Sequence, residues 1–101
     1  MENLTQRLVN LLFLTLNDSE HRLRWLGEFQ DLVWNPAEPI EDKKIDEIFL
    51  ELAGDLDLYE PREDYRREDP SFFGDEQFEV QVRSALHKLA ELGVRPSPAP
   101  G

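Results

Sequence analysis

The sequence predicts an all-α protein built as a small antiparallel four-helix bundle. Three observations carry that expectation. Apolar residues recur at helical spacing in four separate stretches, no stretch alternates with period two, and the connections between the stretches are mostly short. A chain of 101 residues is long enough for one modest core and too short for two. Residues 1–93 are therefore read as a single helical domain. The segment 94–101, with Pro96, Pro98 and Pro100, is read as a disordered proline-rich tail.

The first helix is expected over residues 4–16, where Leu4, Leu8, Leu11, Leu12 and Leu16 share one face and Val9 and Phe13 widen it. Asn17-Asp18-Ser19 interrupts the pattern, and Asp18 or Ser19 is suited to cap the next helix because its side-chain oxygen can accept an orphan backbone N–H. That second helix is expected from about residue 19 to 32, with Leu23, Leu26, Phe29 and Val33 in one stripe and Trp25 and Leu32 beside it. Pro36 and Pro39 then prevent the helix from continuing.

Asp42 opens a third helix, along which Ile45, Ile48, Phe49, Leu52, Leu56 and Tyr59 form a single apolar face opposite Asp46, Glu47, Glu51 and Asp55. Glu60-Pro61 ends it, and residues 61–74 read as a charged connection containing Tyr65, Phe72 and Phe73. Gly74-Asp75 opens the fourth helix. Its inner face is Phe78, Val82, Ala85, Leu86, Leu89 and Leu92, and Gly93 is a suitable C-terminal stop.

The net charge of −11 is concentrated. Residues 38–79 hold sixteen acids and five bases, a balance of −11, whereas residues 1–37 hold five acids and three bases and residues 80–101 one acid and three bases. Such a block repels nucleic acid and anionic membranes, and it attracts a basic protein. The alternative is a solvated face that serves solubility alone. The absence of cysteine excludes a disulfide framework, a thiolate metal site and a catalytic thiol. The longest apolar run, Leu11 to Leu14, is far short of the roughly 20 residues that span a bilayer. Glu2 and Asn3 ahead of Leu4 lack the basic start of a signal peptide, so a soluble cytoplasmic protein is expected.

Catalytic and metal chemistry finds little support. Asp55-x-Asp57-x-x-Glu60 lacks the glycine and the bidentate glutamate of a calcium loop. His21 and His87 fall on different helices without a carboxylate–histidine ligand pattern, and Ser84 with His87 matches no nucleophile-activation arrangement. No Gly-rich phosphate loop is present. No metal, no cofactor and no enzymatic activity are expected. What remains is the acidic cluster Asp57, Glu60, Glu63 and Asp64. It begins at the C-terminal end of the third helix, where negative charge opposes the macrodipole, so either function or pairing with Arg62, Arg66, Arg67 or Arg83 must account for it. A pair between Glu60 and Arg83 is one such possibility, and it would make Glu60 structural.

The second half of the chain resembles a known family. Leu58-Tyr59-Glu60-Pro61 at a helix end is followed by a charged connection with Asp64 and Arg66. Then come Gly74-Asp75-Glu76 and a helix bearing Val82-Arg83-Ser84-Ala85-Leu86-His87-Lys88-Leu89. This order is similar to the colicin D immunity protein family, the self-protective colicin-like immunity proteins, over about residues 45–92. The resemblance implies a small acidic four-helix bundle that binds the nuclease domain of a cognate toxin, a tRNA-cleaving RNase, and covers its active site with carboxylates in place of RNA phosphates. It implies that Asp57 and Glu60 match family contact acids, with Asp64 in the acidic connection and Arg62 standing where an acid is expected. The partner-binding set is then Asp57, Glu60, Glu63 and Asp64 with Tyr59 and Tyr65 as aromatic anchors, although Tyr59, Phe72 and Phe73 fit a core role equally well. The free protein is expected to be a monomer that binds a basic toxin nuclease domain and neither nucleic acid nor membrane. The alternative function is an acidic adaptor or regulator for another basic protein.

Overall fold

The computed structural model describes residues 3–97, and all their regular elements are helical. Helix α1 is Leu4–Asn17, α2 Arg22–Trp34, α3 Lys43–Leu56, α4 Glu63–Arg66 and α5 Asp75–Glu91. Four of the five run for three turns or more, and α4 is a single turn. The all-α expectation therefore holds.

Local chemistry sets the helix ends. Asn3 caps α1, its Oδ1 accepting from Gln6 N at 2.8 Å. Asp42 caps α3, where Oδ1 accepts from Lys44 N at 2.9 Å and Ile45 N at 3.2 Å. Helix α5 closes on Gly93, whose φ of 85° only glycine adopts without strain. The amides of Gly93 and Val94 donate to Ala90 O and Leu89 O at 3.0 and 2.9 Å, the pair of bonds that defines a Schellman stop.

The cap expected before α2 is absent. Ser19–His21 form a short 3-10 turn, and α2 starts three residues later than the sequence suggested and ends two residues further on. Neither the Asp18 nor the His21 side chain caps either element. Asp18 instead accepts from the Trp25 indole N–H at 3.0 Å and meets His21 Nδ1 at 3.0 Å. These bonds, the indole's first, hold its carboxyl below the usual aspartate range. A group whose folded pKa is depressed adds stability that is complete above the unfolded value, near 3.9, and is lost as pH falls through the folded one. The melting temperature of the protein should accordingly fall in that acid window, and Asp18→Asn should flatten this limb. An unchanged acid limb in the variant would remove Asp18 from the balance.

The inner stripe of α2 also differs. The buried residues are Arg22, Leu26, Phe29 and Val33, and Leu23 is 58% exposed. Helix α3 stops at Leu56, not at Glu60, because the amides of Asp57, Leu58 and Tyr59 each turn back to the carbonyl three residues before. Tyr59 then makes a short parallel bridge with Phe73: Glu60 N donates to Phe73 O at 2.9 Å and Phe73 N to Leu58 O at 3.1 Å. The connection after Pro61 thus returns to the body of the protein, with α4 as its one helical turn.

Helix α1 packs mainly on α2 and also on α5, and α3 packs on α5 and α2. The core between them holds Leu8, Leu12, Phe29, Phe49, Phe78 and Leu89 completely buried, with Phe29 and Phe49 edge to face at 6.0 Å. Residues 94–97, expected as tail, lie against α1. Gln6 Nε2 donates to Arg95 O at 2.9 Å, Ser97 N donates to Asn10 Oδ1 at 2.8 Å, and Val94 packs on the core. The rest of the expected tail, 98–101, lies outside the described residues.

Candidate functional site

The six residues singled out in the sequence occupy one stretch from the end of α3 through α4, but they do different work. Asp57, at the C-terminal end of α3, is exposed, and among the described residues its carboxylate has neither ion pair nor hydrogen bond. Glu60 is half-buried, and its carboxylate accepts from Arg62 N at 3.1 Å while its carbonyl accepts from Arg66 at 2.7 Å. The pair with Arg83 does not form, since exposed Arg83 bonds Glu79 one turn away at 3.2 Å.

On α4 the acids and arginines interleave. Asp64 meets Arg62 at 2.9 Å, and Glu63 meets Arg67 at 3.2 Å. Tyr65, 43% exposed, lies under the Arg62 guanidinium at 4.2 Å and accepts from it at its hydroxyl, 3.2 Å. Arg62 therefore holds both Asp64 and Tyr65 in place, an arrangement of arginine and tyrosine of the type that dominates binding energy at interfaces. Tyr59 faces inward. Its ring packs on Phe78 at 4.5 Å and on Phe73 at 6.3 Å, and its hydroxyl donates to Asp75. Burial first, and then the bond to the Asp75 carboxylate, push the Tyr59 hydroxyl pKa up. Phe73 is buried and Phe72 half-buried, so the aromatic residues of this stretch serve mainly to pin it down, and Tyr65 is the exposed one.

What pins the stretch is a polar network that sequence reasoning missed. Arg22 is only 6% exposed. Its Nε donates to Thr15 O at 2.7 Å, its terminal nitrogens reach Asp75 at 3.3 Å and Glu79 at 3.7 Å, and its guanidinium lies 4.9 Å from the Phe78 ring centre. One buried cation thus ties the end of α1 to the start of α5. Through Asp75 it is tied to Tyr59 as well.

The second missed feature is on α3. Glu47, Glu51 and Asp55, spaced at i, i+4 and i+8 on one exposed row, make no ion pair and no side-chain hydrogen bond among the described residues. The carboxylates of α4 are partly neutralised, whereas among the described residues the α3 row and Asp57 beyond it have no ion-pair partner. That row was legible as the polar face of the helix. Its lack of partners was not.

Among the described residues no group of three or more His, Asp or Glu side chains is placed to hold a metal ion, and no helix is long and apolar enough to cross a membrane. Comparison with family models, with curated proteins and with solved structures returned no match for this chain.

Proposed function

We propose that this protein is an immunity-type inhibitor that binds a cognate toxin nuclease in the cytoplasm, through the acids that run from α3 to α4. In this reading the four long helices form the antiparallel bundle that the sequence suggests, and the protein binds as a monomer. The observation that carries the proposal is the set of carboxylates at Glu47, Glu51, Asp55 and Asp57, unpaired among the described residues and continued by half-buried Glu60 and exposed Glu63 and Asp64. A ribonuclease must hold its substrate's phosphates with Lys, Arg or protonated His, and carboxylates can accept the same charge-assisted hydrogen bonds. Complementary charge also speeds encounter, so association should slow as salt is raised. The resemblance of residues 45–92 to the colicin D immunity family supports a tRNA-cleaving RNase as the target, with Arg62 altering the pattern of charge beside Pro61.

The test is co-expression with the nuclease domain encoded beside the gene, scoring survival and tRNA integrity. Wild-type protein should rescue growth with intact tRNA. The triple variant Asp57→Asn, Glu60→Gln, Asp64→Asn should retain helical circular dichroism and lose protection by at least about tenfold in inhibitory potency, which corresponds to 1.4 kcal/mol or more of binding energy. Full protection by the variant would take the site away from these residues. Cleaved tRNA with folded wild-type protein would reject the function.

A further inference from the structure

Helices α3 and α5 leave a groove between them that the packing of the bundle does not fill. A hollow of about 290 Å³ has Ile48, Leu52 and Ala85 among its walls, and Val80 on the α5 side is 60% exposed. A second hollow of about 300 Å³ shares Ile48, Glu51 and Lys88 with the first, so the two form one trough along the helices.

Three features of the trough point to the same kind of occupant. The α3 wall carries the free carboxylates Glu47, Glu51 and Asp55. The floor is aliphatic. The Oε1 atom of Gln81, in the α5 wall, is buried with no hydrogen-bond partner among the described residues, so it gains one only if the side chain turns toward an incoming N–H in the trough. Acids outnumber bases in both hollows: Glu51 and Asp55 face Lys88 in the first, and Glu47, Glu51 and Glu91 face Lys44 and Lys88 in the second.

We infer that this groove docks a basic amphipathic segment of the partner protein, with an aliphatic side chain on Ile48 and Val80, cationic side chains on Glu51 and Asp55, and an N–H donor toward which the Gln81 amide turns. The inference rests on the reading of the protein as an inhibitor of a basic partner, and it adds a second contact surface beside α4. A helix lying in a groove reads as anchors on one face with charge on its flanks, and the trough offers both.

The experiment is an NMR titration of the full chain with a synthetic amphipathic peptide, leucine on one helical face and arginine on the other, and with a scrambled peptide of the same composition. Shift changes should centre on Ile48, Glu51, Asp55, Val80 and Gln81, and the scrambled peptide should bind at least about tenfold more weakly. Val80→Asp is the decisive variant. It adds negative charge, so attraction by net charge alone would strengthen binding, whereas the groove requires a loss of about tenfold or more. Glu51→Gln with Asp55→Asn should weaken binding several-fold more than Glu20→Gln with Glu68→Gln, which removes equal charge elsewhere. Undiminished binding by Val80→Asp, or equal losses for the two pairs, would overturn the groove. So would sedimentation showing a dimer that Val80→Asp dissociates, since the occupant would then be a second copy of this chain. In the co-expression assay, groove variants that protect as fully as wild type would reject the groove and leave the inhibitor reading standing. Failure of wild type to protect would reject the inhibitor reading, and the peptide titration would still decide the groove.

Discussion

Replacing Phe78 with alanine is expected to lower the unfolding free energy by about 3–5 kcal/mol, the range for removing a fully buried aromatic side chain. Phe78 has no exposed surface, and its ring is shared by two neighbours of different chemistry, Tyr59 at 4.5 Å and the Arg22 guanidinium at 4.9 Å. The loss is therefore more than transfer energy. The cavity opens under the point where the 57–74 connection meets the helical core, and the flat surface on which Arg22 rests disappears. Domains of this size have about 5–15 kcal/mol in total, so the variant stands near the limit of folding. At about 4–8 °C per kcal/mol the melting temperature should drop by at least about 12 °C. Phe78→Leu should cost markedly less, because most of the volume stays. Hydrogen exchange gives the more specific reading. The amides of Glu60 and Phe73, which hold the Tyr59–Phe73 bridge, should lose protection before those of α1 and α2. A fall in melting temperature of only a few degrees would mean that the ring is not a core element.

The helical framework was legible because its signals are local. Asp42 and Gly93 mark helix ends by chemistry that involves only their own neighbours, and the leucines of α1 and the aliphatic row of α3 declare their faces by spacing alone. The missing α2 cap is a local matter, since Asp18 is taken by His21 and Trp25, but in most of the other errors the deciding partner lies far along the chain. Periodicity chose Leu23 for the α2 stripe because it is apolar. The structure buries Arg22 instead because Thr15 O, Phe78 and an Asp75 that is 53 residues away receive it. Periodicity also carried α3 on to Tyr59, whereas the chain tightens after Leu56 and Tyr59 is held in a strand-like bridge to Phe73. Residues 94–97 read as a free tail from their prolines, yet the side chains of Gln6 and Asn10 hold them. The acids of the candidate site could be read from charge density. Which of them are neutralised by the arginines of α4, and which stay free on α3, depends on geometry that spacing does not contain. Val80 fell off the apolar stripe of α5, and only the packing of α3 against α5 shows it beside a trough.

Arg22→Ala should be the most destabilising single substitution of a charged residue among those described, by about 2–4 kcal/mol. The dominant part is the buried Thr15 carbonyl. It accepts from Arg22 Nε at 2.7 Å, and leaving a buried acceptor unpaired costs about 1–3 kcal/mol. Lost packing on Phe78 adds to it. The ion pairs contribute less than their number suggests, because the Asp75 side chain is 62% exposed and stays hydrated when the cation is removed. The converse change is less forgiving. Asp75→Ala with Glu79→Ala leaves a buried guanidinium without a counter-ion, the situation that makes broken buried pairs costly. Arg22→Lys should not rescue, since a lysine cannot present the planar fork that serves Thr15 O, Asp75 and Glu79 together while lying over an aromatic ring. Denaturant unfolding of the three variants gives the ordering directly. If Arg22→Lys matched wild type, the fork geometry would be irrelevant and the residue would act as a point charge. The residue also couples to the first prediction. In a double-mutant cycle, Arg22→Ala and Phe78→Leu should be non-additive by about 0.5–2 kcal/mol, because each removes the other's partner at 4.9 Å. Additive losses would show that guanidinium and ring are merely near one another, and that Arg22 is held by its hydrogen bonds alone.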